Sequence, residues 1–257
     1  MGLTRRQRQS FERSDVLDLG PQRNRVAVAI LVVVAVALAA TLVLLWRCAR
    51  AHGRSGDDGL ISSIGTQEVE PVSAEGVMAS SDSFTNLLLV TVDDVSSSAP
   101  ALQKVQILSL DATRRTGVLS ALPLDAALTT SPDATIRSCF DEGGAAALVP
   151  AVAAATQVRL DHVIVAADSL WDRLRGLRGS GVTALLGSGA ELLSSLETDM
   201  GSSELLGVVE QLQSVGVSRL SQAEAPTTQE EGESGATLTR IDAAGLGLQL
   251  GTLVACD

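Results

Sequence analysis

The sequence predicts one α/β domain, three layers around a mixed β-sheet, carried on a single N-terminal membrane helix. Three observations predict it. Val26 to Trp46, VAVAILVVVAVALAATLVLLW, is an apolar run without a charge. Beyond it, apolar runs rich in β-branched residues (NLLLVTV, VQILSL, TGVLSAL, DHVIVAA) are followed by, or alternate with, alanine- and leucine-rich helical segments. That is the pattern of helices packed on a sheet after an initial hairpin. Finally, the chain is 46% hydrophobic but only 2% aromatic, so Val, Leu and Ala must fill the core.

A helix over the apolar run reaches roughly 31 Å, the thickness of a bilayer's hydrocarbon core. Arg5, Arg6, Arg8, Arg13, Arg23 and Arg25 precede it, whereas Arg47, Arg50 and Arg54 follow. This excess places the amino end in the cytoplasm. The run ends in LLWRCAR rather than at a small-residue cleavage site, as expected of an uncleaved signal anchor in a single-pass protein of the cell membrane. Residues 1–25 then form a cytoplasmic basic tail, 26–46 the span, and everything after 47 is extracytoplasmic. Of the chain's 19 basic and 30 acidic residues, six and three lie before the span, leaving 13 and 27 beyond it, a net of −14. That balance excludes nucleic acid as a partner.

Residues 47–82 are rich in Ser, Gly, Asp and Glu and read as a stalk or linker, so the folded domain is expected over 83–257. NLLLVTV, from Asn86, is a buried strand that stops at Asp93-Asp94. VQILSL (105–110) and TGVLSAL (116–122), joined by DATRR, make a hairpin. Pro123 ends it, and Asp125 follows. The alanine-rich segment after IRSCFDEGG is helical in composition, but Pro150 would cost a helix interior about 3 kcal/mol. The helix either kinks there or begins near that residue. DHVIVAA (161–167) is the next strand.

Ser169 to Asp172 and Ser188 to Glu191 resemble capping boxes opening helices, with GSG at 179–181 ending the first. Leu205, Leu206, Val208, Val209, Leu212 and Val215 repeat at helical spacing. Residues 221–236 read as an acidic low-complexity loop. The last segment, TLTRIDAAGLGLQLGTLVACD, reads as a closing strand with a short helix. Cys48, Cys139 and Cys256 lack metal-ligand spacing; a Cys139–Cys256 bridge and two buried free thiols are both open. In a sheet of this kind ligands collect beyond the carboxyl ends of strands, which selects Asp93, Asp94 and Asp125.

In this order the pieces resemble the LytR-CpsA-Psr family of cell-envelope proteins. NLLLVTVD resembles that family's NILLLGSD, with Asp93 in the aspartate's place. LSLDATRRTGVLSALPLD resembles its hairpin running into SIPRD, IRSCFDEGG resembles IN-x-AY-x-x-GG, and DHVIVAADSLWDRL followed by GSGV resembles DHYVxVDFxGF and GGV. The likeness covers about 86–182. It implies an extracytoplasmic α/β domain that moves a glycopolymer from a polyprenyl-pyrophosphate carrier to peptidoglycan, with arginines on the pyrophosphate and Mg²⁺ on aspartates, here Asp93 and Asp125.

The chain departs from that charge set. Leu124 stands at the SIPRD arginine, Ala101 and Gln103 at the RxDT arginine and aspartate, and Arg137 at an asparagine. ETDMGSSELLGVVEQLQ occupies the region of the RxR and DxxR elements without an arginine. Phosphoryl transfer rests on positioning and charge neutralisation, so several such losses together cost orders of magnitude in rate. Arg114, Arg115 and Arg137, with Arg173, Arg175 and Arg178, are the arginines that could rebuild a basic pocket; otherwise each is a solvated surface charge.

Three functions stay open. One is a noncatalytic binding or scaffold member in envelope glycopolymer assembly, with a polyprenyl-phosphate lipid, a cell-wall glycopolymer or active family paralogues as partners. Another is an active phosphotransferase with relocated arginines. The last is an extracytoplasmic sensory or interaction domain.

Overall fold

The computed structural model describes residues 56–129, 133–168, 196–215, 219–232 and 235–256. In chain order its elements are α1 (Asp58–Gly65), β1 (Val77–Ala79), β2 (Phe84–Val92), β3 (Leu102–Asp111), β4 (Thr116–Leu122), α2 (Ile136–Thr156), β5 (His162–Ala167), β6 (Leu196–Thr198), α3 (Ser202–Val215), β7 (Leu220–Glu224), β8 (Thr227–Glu231), β9 (Thr237–Ile241), α4 (Ala243–Leu250) and β10 (Leu253–Ala255). Six strands form a central sheet in the order β6, β5, β2, β3, β4, β7. β3 is antiparallel to both β2 and β4, and β6 to β5, whereas β5 runs parallel to β2 and β7 parallel to β4. The sheet is therefore mixed, and it contains all four strands expected at 87–92, 105–110, 117–121 and 162–165.

β2 shows why an unbroken apolar run makes a central strand. Successive side chains point to opposite faces. Leu88, Val90 and Val92 join Val105 and Ile107 of β3 in one cluster, closed by Leu60 of α1, Phe140 and Val149 of α2, and Leu246 of α4. Leu87 and Leu89 join Leu108 and Leu110 in a second, smaller cluster with Met200 and with Val215 at the end of α3. Both faces of the sheet are thus covered, and each fully buried Leu or Val contributes about 1.5–3 kcal/mol.

α2 opens with a capping box: the Thr135 side chain accepts from Ser138 N, and Ser138 Oγ accepts from Thr135 N. Its break falls at Gly144, not at Pro150. Gly144 has φ 65° and ψ −163°, a conformation open in practice only to glycine.

Two segments read as unstructured are structured. Within 47–82, α1 is capped by the Asp57 carboxylate, which accepts from Leu60 N, and it drives Leu60 and Ser63 into the interior. Gln67 then binds both the N–H and the carbonyl of Leu160 at 2.9 Å, and β1 pairs with β10. Each piece is too short for its periodicity to stand out among Gly, Ser and Asp. Among the described residues of 221–236 most are exposed, but Ala225 is buried in the main apolar cluster and Pro226 and Gly232 are half-buried, and most are strand rather than loop. β7 is a sheet edge, and β8 pairs with β9 in a separate hairpin, where Glu230 and Arg240 meet at 3.2 Å. Edge strands face water on most sides and therefore carry the polar composition of loops.

The closing segment is a strand, a short helix and a further strand, β9, α4 and β10. Cys139 is half-buried and Cys256 exposed, and both are free thiols. Among the described residues no helix is long and apolar enough to cross a membrane. The tail 1–25, the run 26–46, Cys48, the capping boxes at 169–172 and 188–191, and Arg173, Arg175 and Arg178 lie outside the described residues.

Candidate functional site

β2, β4, β5 and β7 all point the same way, so their carboxyl ends share one edge of the sheet. Asp93 follows Val92 at the end of β2. Val92 is in register with Ala167 of β5, so Asp168 ends the neighbouring strand, at the usual spacing of about 4.8 Å. Asp125 lies just past β4. The first turn of α2 reaches the same edge: Arg137 N donates to Leu124 O at 3.0 Å, and Arg137 Nη1 donates at 3.2 Å to the carbonyl of Leu102, the register partner of Val92. The structure thereby brings Asp93, Asp125 and Arg137 to one end of the sheet. Asp168 and Lys104, opposite Thr91, join them there and were not singled out in the sequence.

Asp93 closes the loop between β2 and β3: its N–H donates to Ala101 O at 3.1 Å, and its Oδ1 accepts from Asp94 N and Ala101 N, both at 2.7 Å. Asp94 Oδ1 accepts from Ser96 N and Ser96 Oγ at 2.8 Å. Asp125 is exposed. Leu124, where the LytR-CpsA-Psr resemblance expects an arginine, is partly buried against the main apolar cluster. Ala101 and Gln103 are exposed.

Arg114 and Arg115 are not part of this end. They sit in the β3–β4 turn, and the nine residues of β2 separate the two ends by about 30 Å. Arg114 Nε binds Asp82 Oδ2 at 2.8 Å, and Arg115 occupies a left-handed turn position with φ 54°. Hairpin geometry forces the separation, since a turn and the end of the returning strand are at opposite poles.

The opposite, amino-terminal end of β5 holds a pair that the sequence did not mark. His162 Nδ1 lies 2.8 Å from Asp199 Oδ2, and Asp199 Oδ1 accepts from Val163 N at 2.7 Å. The hydrogen bond to Asp199 raises the His162 pKa above its ordinary value; partial burial opposes this, and the charges of Asp199, Glu204 and Asp161 add to it. Elsewhere, burial pushes the Cys139 thiol up, with the Glu142 charge adding.

Among the described residues no group of three or more acidic, histidine or cysteine side chains converges to hold a metal ion. Asp93 has one oxygen committed to two backbone amides, and both Asp93 and Asp125 are exposed. Such an edge can accept hydrogen bonds from hydroxyls or take part in cation binding completed by a ligand's own oxygens.

Neither a protein-family model nor a curated protein matches the sequence. Solved structures do. Protein gbs0355 from Streptococcus agalactiae aligns with a TM-score of 0.50 at 8% identity, over 68% of this chain and 90% of its own. The transcriptional regulator yvhJ from Bacillus subtilis aligns at 0.48 and 12% identity, and B. subtilis TagV at 0.47 and 13%, each over 67% of this chain and 96% of the other. At 8% identity the likeness to gbs0355 is one of fold, and it agrees with the α/β domain expected over 83–257.

Proposed function

We propose that this chain is a divergent LytR-CpsA-Psr-like protein, held at the outer face of the cell membrane by its N-terminal span. In this reading it serves envelope glycopolymer assembly as a noncatalytic binding or scaffold module. The observation that carries the proposal is the edge at the carboxyl end of β2. Where the resemblance calls for an arginine beside Asp125, Leu124 is packed against the core instead. Arg114 and Arg115, the nearest candidates in sequence to replace it, are at the far pole, and Arg114 is already paired with Asp82. A multiply charged pyrophosphate needs several guanidinium contacts acting as a unit.

Purified full-length chain with Mg²⁺ is expected to show neither pyrophosphatase nor glycopolymer-transfer activity. Leu124→Arg alone restores little, because Ala101 and Gln103 stay uncharged. A polyprenyl phosphate copurifying with the chain would support the binding role. Clear turnover that Asp93→Ala or Asp125→Ala abolishes would overturn it.

One observation favours a second reading, an active phosphotransferase. Arg137 and Lys104 stand at the same end as Asp93 and Asp125. In that case Asp93 and Asp125 would hold Mg²⁺, which neutralises charge on the transferred phosphoryl group, and Arg137→Ala would lower turnover strongly.

A further inference from the structure

The β5–β6 ladder is short: Ala166, Val165 and Ile164 pair with Leu196, Glu197 and Thr198, and regular pairing then stops. Side chains continue it. Thr198 Oγ1 donates to Val163 O at 2.7 Å, and the Asp199 carboxylate receives Val163 N at one oxygen while the other meets His162 Nδ1. Asp199 is largely buried, with 8% of its side chain exposed, and His162 shows 23%. The same stretch also fastens the entry to the domain, because Thr198 O accepts from Gly56 N at 2.9 Å and from Asp57 N at 3.1 Å. Asp57 is in turn the cap of α1. On the other side, Met200 is fully buried and Gly201 N donates to Glu204 Oε2 at the start of α3. Three parts of the fold therefore meet at one junction: the central sheet, the β6–α3 connection and the incoming chain.

We infer that the His162–Asp199 pair is a pH-sensitive latch, which holds β6, and through Thr198 the incoming segment at Gly56–Asp57, against the central sheet. Protonated His162 gives Asp199 an ion-pair partner and fixes the carboxylate that Val163 N needs; neutral His162 leaves a hydrogen bond to the carboxylate without the opposing charge. The other charges acting on the ring are Glu204 of α3 and Asp161 ahead of β5, and both favour the protonated form. A histidine whose pKa is raised on folding contributes stability that is complete below its unfolded value of about 6.5 and is lost as pH rises through the folded value. The latch is thus closed in mildly acidic surroundings and loosens as pH rises through the folded value. It does not depend on the envelope function proposed above.

The chain has two histidines, and the other, His52, lies outside the described residues. Hydrogen exchange of the full-length chain in detergent micelles, corrected for the intrinsic pH dependence of exchange, tests the latch between about pH 6 and 8.5. Protection of the Gly56, Asp57 and Val163 amides is expected to fall several-fold across that range in the wild type and in His52→Gln. In His162→Gln, which keeps a neutral donor but cannot titrate, it is expected to stay flat. An unchanged wild-type profile in His162→Gln, or a response at Val163 that leaves Gly56 and Asp57 unaffected, would overturn the inference.

Discussion

The two ends of the central sheet use carboxylates in opposite ways. At the amino end of β2 and β5 the acids are enclosed in partnerships: Asp111 accepts from Thr113 N and Arg114 N, Asp161 from Asn86 N, Asp82 pairs with Arg114, and Asp199 binds His162 and Val163. At the carboxyl end Asp93, Asp94, Asp125 and Asp168 are all exposed, and Asp93 and Asp94 shape their own loop. Acids of the first kind hold the fold together, while those of the second are kept at little benefit to stability. An edge of the second kind is where an α/β sheet meets its ligands.

The contrast can be broken by removing the same group at each end and following denaturant unfolding. Asp199→Ala is expected to cost most, about 3 kcal/mol, because it leaves Val163 N without its acceptor and His162 without its counter-charge in a largely buried place. Gly144→Ala should come next, at about 2 kcal/mol. It forces a side chain into a glycine-only conformation at the break that lets the first turns of α2 reach the carboxyl end. Asp93→Ala should lose about 1 kcal/mol, the worth of an exposed loop closure. Asp125→Ala should stay within about 0.5 kcal/mol of the wild type. If Asp125→Ala were as damaging as Asp199→Ala, the distinction between the two ends would collapse.

Much of this architecture can be read from residue order, and the failures have physical causes. Apolar runs located the inner strands because a strand covered on both faces has no polar side to interrupt its pattern. α1, β1, β6, β7 and β8 escaped because short or edge elements bury too little to write a pattern; Leu196 and Glu197 even read as the end of a helix ELLSSLE, whereas they open β6. The placement of Arg114 and Arg115 was within reach of the sequence. The hairpin from 105 to 122 already puts its turn at the pole opposite Asp125, so chain topology alone separates these arginines from that aspartate. By contrast, the pairing of His162 with Asp199 depends on how β6 returns to β5, and nothing local to either residue announces it. Asp168 was visible at the end of an expected strand, and only its register beside Asp93 gives it interest.

The pairing of β1 with β10 bears on when this fold can be completed. Val77 meets Ala255, and the carbonyl of Gly76 accepts from Cys256 N. Nearly the whole domain must therefore be synthesised before its first strand finds its partner. Contacts of such long sequence separation close late and slow folding. During synthesis the chain up to α4 would wait with β1 unpaired, and the last strand would act as the clasp that ends its exposure to proteases and stray strands.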